Sequence, residues 1–318
     1  MILDQIRKFQ MAIRQKIKLH LTPERDVAIL FFLWKWKVTT TKAVAARFFY
    51  DSNPRNAYKR LVELANAGFI ESRADITGHK FVWLLTKRGF DVILPNLPPL
   101  REEGFGSEHI GHDLLSSAVL LGEFLQEQPD HIELLSEQEL RRYHDSQLPN
   151  EIPKKELRRP DGYWFITNGN SAKVIALEVE ISHKSESDYK SIGHFYNRAE
   201  TVSQVIWVVQ TIGLASRILT SFSQSTLEQR NIHSFILTQD FFTSGWSAQV
   251  VAGQNLNQSL FQILDSFSSV NPGSQVGSSV GFSRGFTRAP GHFAKLLSLS
   301  RTHKDSSPYK QYACGDFP

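Results

Sequence analysis

Three carboxylates in the middle of the chain have the residue types and spacing that could do chemistry. Residues 173–182 alternate as a strand does: Ile175, Leu177, Val179 and Ile181 point to one face, and Val174, Ala176, Glu178, Glu180 and Ser182 to the other. Two acids side by side on one strand face repel unless a cation or hydrogen bonds compensate. Upstream, Pro160-Asp161 leads into a second strand-like run, 162–167. If the hairpin turns at Asn168-Gly169-Asn170-Ser171, Asp161 sits directly opposite Glu178, and a bulge would shift that register. Asp161, Glu178 and Glu180 then converge on one oxygen-rich patch, the environment that Mg²⁺ or Mn²⁺ prefers, and they are the candidate metal ligands.

The elements needed to position these acids follow from periodicity. Beyond residue 106 the pattern predicts helix 107–127, strand 132–136, the hairpin 162–167 and 173–182, helix 186–202, strand 204–210, helix 214–223 and strand 234–237. This is a mixed α/β arrangement. On the first helix Glu108 and His112 share a face, as do His109 and Asp113; these read as ion pairs or packing residues and are not assigned as ligands.

The first ninety residues read differently. Thr22-Pro23 with Glu24 and Asp26 opens a helix running to about Trp36, Thr39–Thr41 caps a short second helix, and Asn53-Pro54 starts a third that stops at Ala67-Gly68. Runs 69–74 and 79–85 form a hairpin around Asp75-Ile76-Thr77-Gly78. Three short helices and a hairpin predict a winged helix-turn-helix, whose last helix enters the major groove of DNA. That helix presents Arg55, Asn56, Lys59 and Arg60, where Arg suits guanine and Asn suits adenine. Lys59, Arg60, Lys42 and Arg47 are equally candidates for phosphate contacts, and His79 and Lys80 lie on the wing. Charge agrees: residues 1–93 hold 17 Lys/Arg against 8 Asp/Glu, although the whole chain is only +4. A basic head on an acidic body points to a polyanionic partner, double-stranded DNA.

The order of these motifs carries two resemblances. Pro160-Asp161, a hairpin and Glu178-Val179-Glu180 within helix–strand–strand–strand–helix–strand resemble the restriction-endonuclease-like PD-(D/E)xK fold. That resemblance implies a Mg²⁺-dependent DNA endonuclease with Asp161, Glu178 and Glu180 at the catalytic metal. Glu180 stands where the family has its lysine, so Lys184 or Lys190 would have to serve, and Arg158-Arg159 could hold a phosphate. More broadly, residues 20–240 are similar to the replication-relaxation protein family of bacterial plasmids and mobile elements. The similarity runs through Trp83-Leu84-Leu85-Thr86, Glu108 to Leu115, Arg159-Pro160-Asp161-Gly162 and Leu177 to Ser182, with Lys190 and Tyr196 downstream. It implies a DNA-binding accessory factor, with a relaxase or replication proteins as partners. A winged-helix transcriptional regulator is the third reading.

The expected organisation is a winged helix-turn-helix over 1–93, a linker over 94–106, a restriction-endonuclease-like α/β domain over 107–265 and a Ser/Gly-rich, disordered tail over 266–318. Residues 5–19 space Ile6, Phe9, Ile13 and Ile17 as an amphipathic helix, expected to pack on the next helix or on a second subunit in a homodimer. A single cysteine, Cys314, excludes an internal disulfide framework. The longest apolar run, 27–34, is far short of the roughly 18 residues a membrane span needs, so a cytoplasmic protein with no membrane partner is expected.

Overall fold

The computed structural model describes residues 19–74, 81–154, 158–169, 171–223 and 230–268. Most of the predicted amphipathic helix and of the predicted tail, as well as His79 and Lys80, lie outside the described residues.

In the N-terminal unit, Pro23–Val27 forms a wide first turn that continues into α1 (Ala28–Trp36). Thr22 does not cap as predicted. Its backbone N–H and hydroxyl both donate to the Asp26 carboxylate, at 2.8 and 2.9 Å. The unbroken apolar run of α1 has a packing reason, because the helix is covered on two sides. Ile29, Leu30, Leu33 and Trp34 belong to the core of the N-terminal unit, while Phe32 and Trp36 enter the core of the second unit. Helix α2 (Thr41–Phe48) is capped by the Thr40 hydroxyl, which accepts from Ala43 N–H at 3.1 Å. Helix α3 (Pro54–Asn66) starts on the Asn53 side chain and buries Ala57, Leu61 and Leu64. Gly68 ends it at φ +80, a conformation that disfavours any Cβ. β2 (Ile70–Ala74) and β3 (Phe81–Leu85) pair as predicted. An unpredicted strand, β1 (Val38–Thr40), pairs on the other edge of β3, giving the order β1-β3-β2. A run of three residues has no readable period. Helix α4 (Lys87–Ile93) closes this unit.

The second unit is a mixed six-stranded sheet in simple sequential order: β4 (Ile132–Ser136), β5 (Gly162–Asn168), β6 (Ser171–Glu180), β7 (Val202–Val209), β8 (His233–Leu237) and β9 (Val250–Gly253). β6, β7 and β8 are parallel; the outer pairings are antiparallel. Helices cover both faces, which is why the central strands are apolar on both. On one face α5 (Ile110–Leu121) and α10 (Leu260–Ser268) pack against Trp164, Ile175, Leu177 and Ile206. On the other, α7 (Glu186–Arg198) and α8 (Ile212–Ser223) cover Tyr163, Val174, Ala176 and Trp207. The predicted alternation of β6 is observed from Val174 to Val179, although the strand ends at Glu180 and not at Ser182.

Two predicted helices are shorter than expected. The first spans Ile110–Leu121 and is followed by a 3-10 turn at Gly122–Leu125, since Gly122 adopts φ +39; the other ends at Arg198. Short α6 (Glu137–Arg142) and α9 (Thr238–Ser244), together with β9 and α10, were not predicted, and α10 runs three residues into the expected tail. The expected linker is held from both sides. Gly104 accepts from the Trp34 indole at 3.1 Å, Phe105 stacks on Phe90 and Leu100 bridges to Tyr143. The two units also share an apolar seam: Phe32, Trp36 and Ala43 enter the core of the second unit, and Val38, Val82 and Leu84 pack on Leu114 of α5. None of the described helices is long and apolar enough to cross a membrane.

Candidate functional site

Two groups of residues need a functional account. The first is the outer face of the N-terminal unit. Burial of Ala57, Leu61 and Leu64 turns the opposite side of α3 outward, leaving Arg55, Asn56 and Lys59 exposed, with Lys42 exposed on α2. Tyr58 is 44% and Tyr50 74% exposed, unusual for large aromatic side chains. Arg55, Tyr58 and Lys59 follow i, i+3, i+4 spacing and share a face. The sequence already carried that signal for Tyr58, but attention to charge alone missed it.

Two predicted DNA contacts are instead used internally. Arg60 grips Asp26, which has no exposed surface, through Nε at 2.9 Å and Nη2 at 2.5 Å, and also bonds the His20 carbonyl at 2.9 Å. A buried carboxylate demands such a partner. Arg47 donates to the Leu125 carbonyl at 2.7 Å and lies over Phe32 and Phe48, so it ties α2 to the second unit.

The second group is the acidic cluster. The hairpin has the predicted register, with Asn168 opposite Ser171 and Gly162 opposite Leu177; one step further places Asp161 opposite Glu178. Close approach explains the glycine after Asp161: a Cβ on Gly162 would lie 2.3 Å from Leu120 and 2.6 Å from the Leu135 carbonyl. The three acids do not, however, share one open patch. Glu178, only 4% exposed, accepts from Arg158 Nη2 at 2.8 Å and Nε at 3.3 Å, and from the Tyr196 hydroxyl at 2.6 Å. Burial pushes its pKa up against the opposing pull of Arg158, with Asp161 adding to the rise. Asp161 turns along the strand ends, accepting from Val179 N–H at 2.6 Å, with His112 Nε2 at 3.4 Å. Glu180 is buried and paired with Lys184, and accepts from Ser182 N–H and hydroxyl at 3.3 Å.

The remaining predicted residues fall elsewhere. Lys190 pairs with Glu186 on its own helix at 2.7 Å. Arg159 donates to the Leu140 carbonyl at 3.0 Å, so its guanidinium braces α6. Sequence reasoning did not assign His112, yet it is central. Burial pulls its pKa down, but Asp161 and Asp113 outweigh that and raise it to about 10. The imidazolium also reaches the Val179 carbonyl at 3.1 Å. A cleft of about 270 Å³ opens beside these groups, lined by Lys37, His112, Asp161, Glu180 and Lys184 among others.

No family model, curated protein or solved structure matches this chain. Its chemistry must be argued from the geometry. A Mg²⁺ or Mn²⁺ ion needs several free oxygen ligands in octahedral array. Glu178 offers neither a free oxygen edge nor access, and among the described residues no group of three or more His, Cys, Asp or Glu is placed to hold a metal ion. As they stand, these residues do not fit the divalent cation that the sequence suggested.

Proposed function

We propose that this protein binds double-stranded DNA through its N-terminal unit, as an accessory factor in plasmid or mobile-element replication and relaxation. One observation carries the DNA-binding part of the reading. The exposed side of α3 presents Arg55, Asn56, Tyr58 and Lys59, Lys42 is exposed on α2 and Tyr50 in the turn between the two helices, and no described carboxylate forms an ion pair with these cations. Three helices followed by a β2–β3 hairpin suit a winged helix-turn-helix, in which α3 lies in the major groove and β2–β3 lies over the backbone. Cations with aromatic rings suit phosphates, sugars and base edges together. The accessory role rests on the motif order of the sequence, and in this reading the six-stranded unit serves as a platform for a relaxase or replication protein. It is given no cleavage step, because its acids are engaged by Arg158, His112 and Lys184.

Fluorescence anisotropy on duplexes selected from a random pool tests the assignment. Arg55→Ala or Asn56→Ala should weaken the selected sequence by about 1–3 kcal/mol while leaving random duplex nearly unchanged. Lys59→Ala should weaken both and lower the salt slope by about 1. Equal affinity of folded wild type and all three variants would refute the assignment of α3. Supercoiled DNA with Mg²⁺ or Mn²⁺ should stay uncut.

A further inference from the structure

A second cleft, of about 400 Å³, opens where the two units meet. Phe31, Phe32 and Trp36 of α1 and Phe48 of α2 line it from the N-terminal unit, and Tyr143, just past α6, lines it from the other. Phe31, Phe48 and Tyr143 are only half-buried, so their rings still offer apolar surface. A cleft of this size accommodates an organic molecule of one or two rings, and junctions between units are common places for such ligands.

Charge decides what kind of molecule fits. Of the lining residues, Lys35, Arg47 and Glu139 are ionisable at either end of the pH scale as cation, cation and acid. Lys35 pairs with Glu139 at 3.0 Å, and the same carboxylate accepts from Ser136 N–H at 2.9 Å, so both groups are engaged. Arg47 is left over. Its Nη1 donates to the Leu125 carbonyl, its guanidinium lies 5.6 and 5.8 Å from the ring centres of Phe32 and Phe48, and no described carboxylate pairs with it. Burial alone acts on its pKa, pulling it down with no acid to oppose the shift, yet a guanidinium stays charged. A half-buried cation without a counter-ion favours an anionic ligand, and its fork matches a carboxylate through two parallel hydrogen bonds. The surrounding rings favour a flat apolar body on that anion.

We infer that the cleft between the two units binds a small aromatic carboxylate, with its ring body against Phe31, Phe48 and Tyr143 and its carboxylate on the Arg47 guanidinium. This site does not depend on the DNA-binding reading, which rests on α3.

Isothermal titration of the full chain with naphthoate, and with naphthamide as the uncharged molecule of the same ring body, tests the inference. Wild type should bind one naphthoate with a Kd on the order of 0.1–1 mM. Naphthamide should bind at least about tenfold more weakly, because it lacks the charge-assisted bonds. Arg47→Met keeps an apolar stem between the rings and should bind the two probes alike. Amide exchange read by mass spectrometry locates the site in wild type, where naphthoate should slow exchange in peptides containing Arg47 and Phe48 or Asn96 and Leu97. Equal affinity of wild type for the two probes would overturn the inference, as would a preference for naphthoate that survives in Arg47→Met. Protection confined to other peptides would overturn it too, and that measurement stands even if Arg47→Met does not fold. No binding by wild type at several millimolar naphthoate would also overturn it, whether another part of the chain, a second copy or nothing fills the cleft. DNA affinity is measured separately, so failure of either proposal is distinguishable from failure of the other.

Discussion

Lys37 offers a stringent test of how the two units are joined. It follows α1 with φ +62, uncommon for any residue but glycine, and turns the chain into β1. Its ammonium lies 3.1 Å from Asp113 Oδ1 and also pairs with Glu137, so a residue of the N-terminal unit is neutralised by two acids of the other. Its side chain is only 13% exposed, and that of Asp113 8%. Burial lowers the lysine pKa, but the two acids outweigh it and hold the pKa above the usual value. Lys37→Met keeps the stem and the backbone strain but removes the ammonium from Glu137 and leaves Asp113 with Ser107 and His112 alone. Breaking a buried pair from one side costs about 3–5 kcal/mol, or roughly 6–20 °C in Tm for a fold of this size. The pH dependence has a fixed sign. Burial raises the Asp113 pKa, but His112, Lys37 and Ser107 together lower it below its unfolded value. The associated stability is present above about pH 3.9 and is lost as pH falls through the lower folded value. The gap between wild type and Lys37→Met should therefore narrow as thermal melts are taken from neutral pH to below about pH 4. A gap under about 1 °C at neutral pH, or one independent of pH, would refute this account of the junction.

Two further outcomes follow from the same region. His112 has a folded pKa of about 10, above its unfolded value of about 6.5, so it stabilises fully below pH 6.5 and its contribution is lost as pH rises toward 10. Urea midpoints should fall across that window in wild type and stay flatter in His112→Gln; equal slopes would contradict the ion pair with Asp161. Gly162→Ala should cost about 1–3 kcal/mol from overpacking against Leu120 and the Leu135 carbonyl, measured by denaturant unfolding, and a neutral result would show that β5 can shift.

What the sequence determined by itself was local or periodic. Asn53-Pro54 and Gly68 delimited α3 because a cap, a fixed φ and a left-handed stop act within a few residues. The two-residue period of β6 and the turn at Asn168 to Ser171 were enough for the hairpin register, and hence for the place of Asp161 opposite Glu178. Tertiary structure decided what those acids do. Arg158 and Tyr196 lie 20 and 18 residues from Glu178 in sequence and His112 lies 49 from Asp161, and no spacing rule predicts which partner a folded chain will bring to a buried carboxylate. The same holds for Arg60 and Arg47, which composition offered to DNA and packing gave to Asp26 and the Leu125 carbonyl. Short β1, the seam it shares with α5, and α6 were invisible for a related reason: three to six residues hold too little periodicity to read, and their stability comes from partners that only the fold supplies.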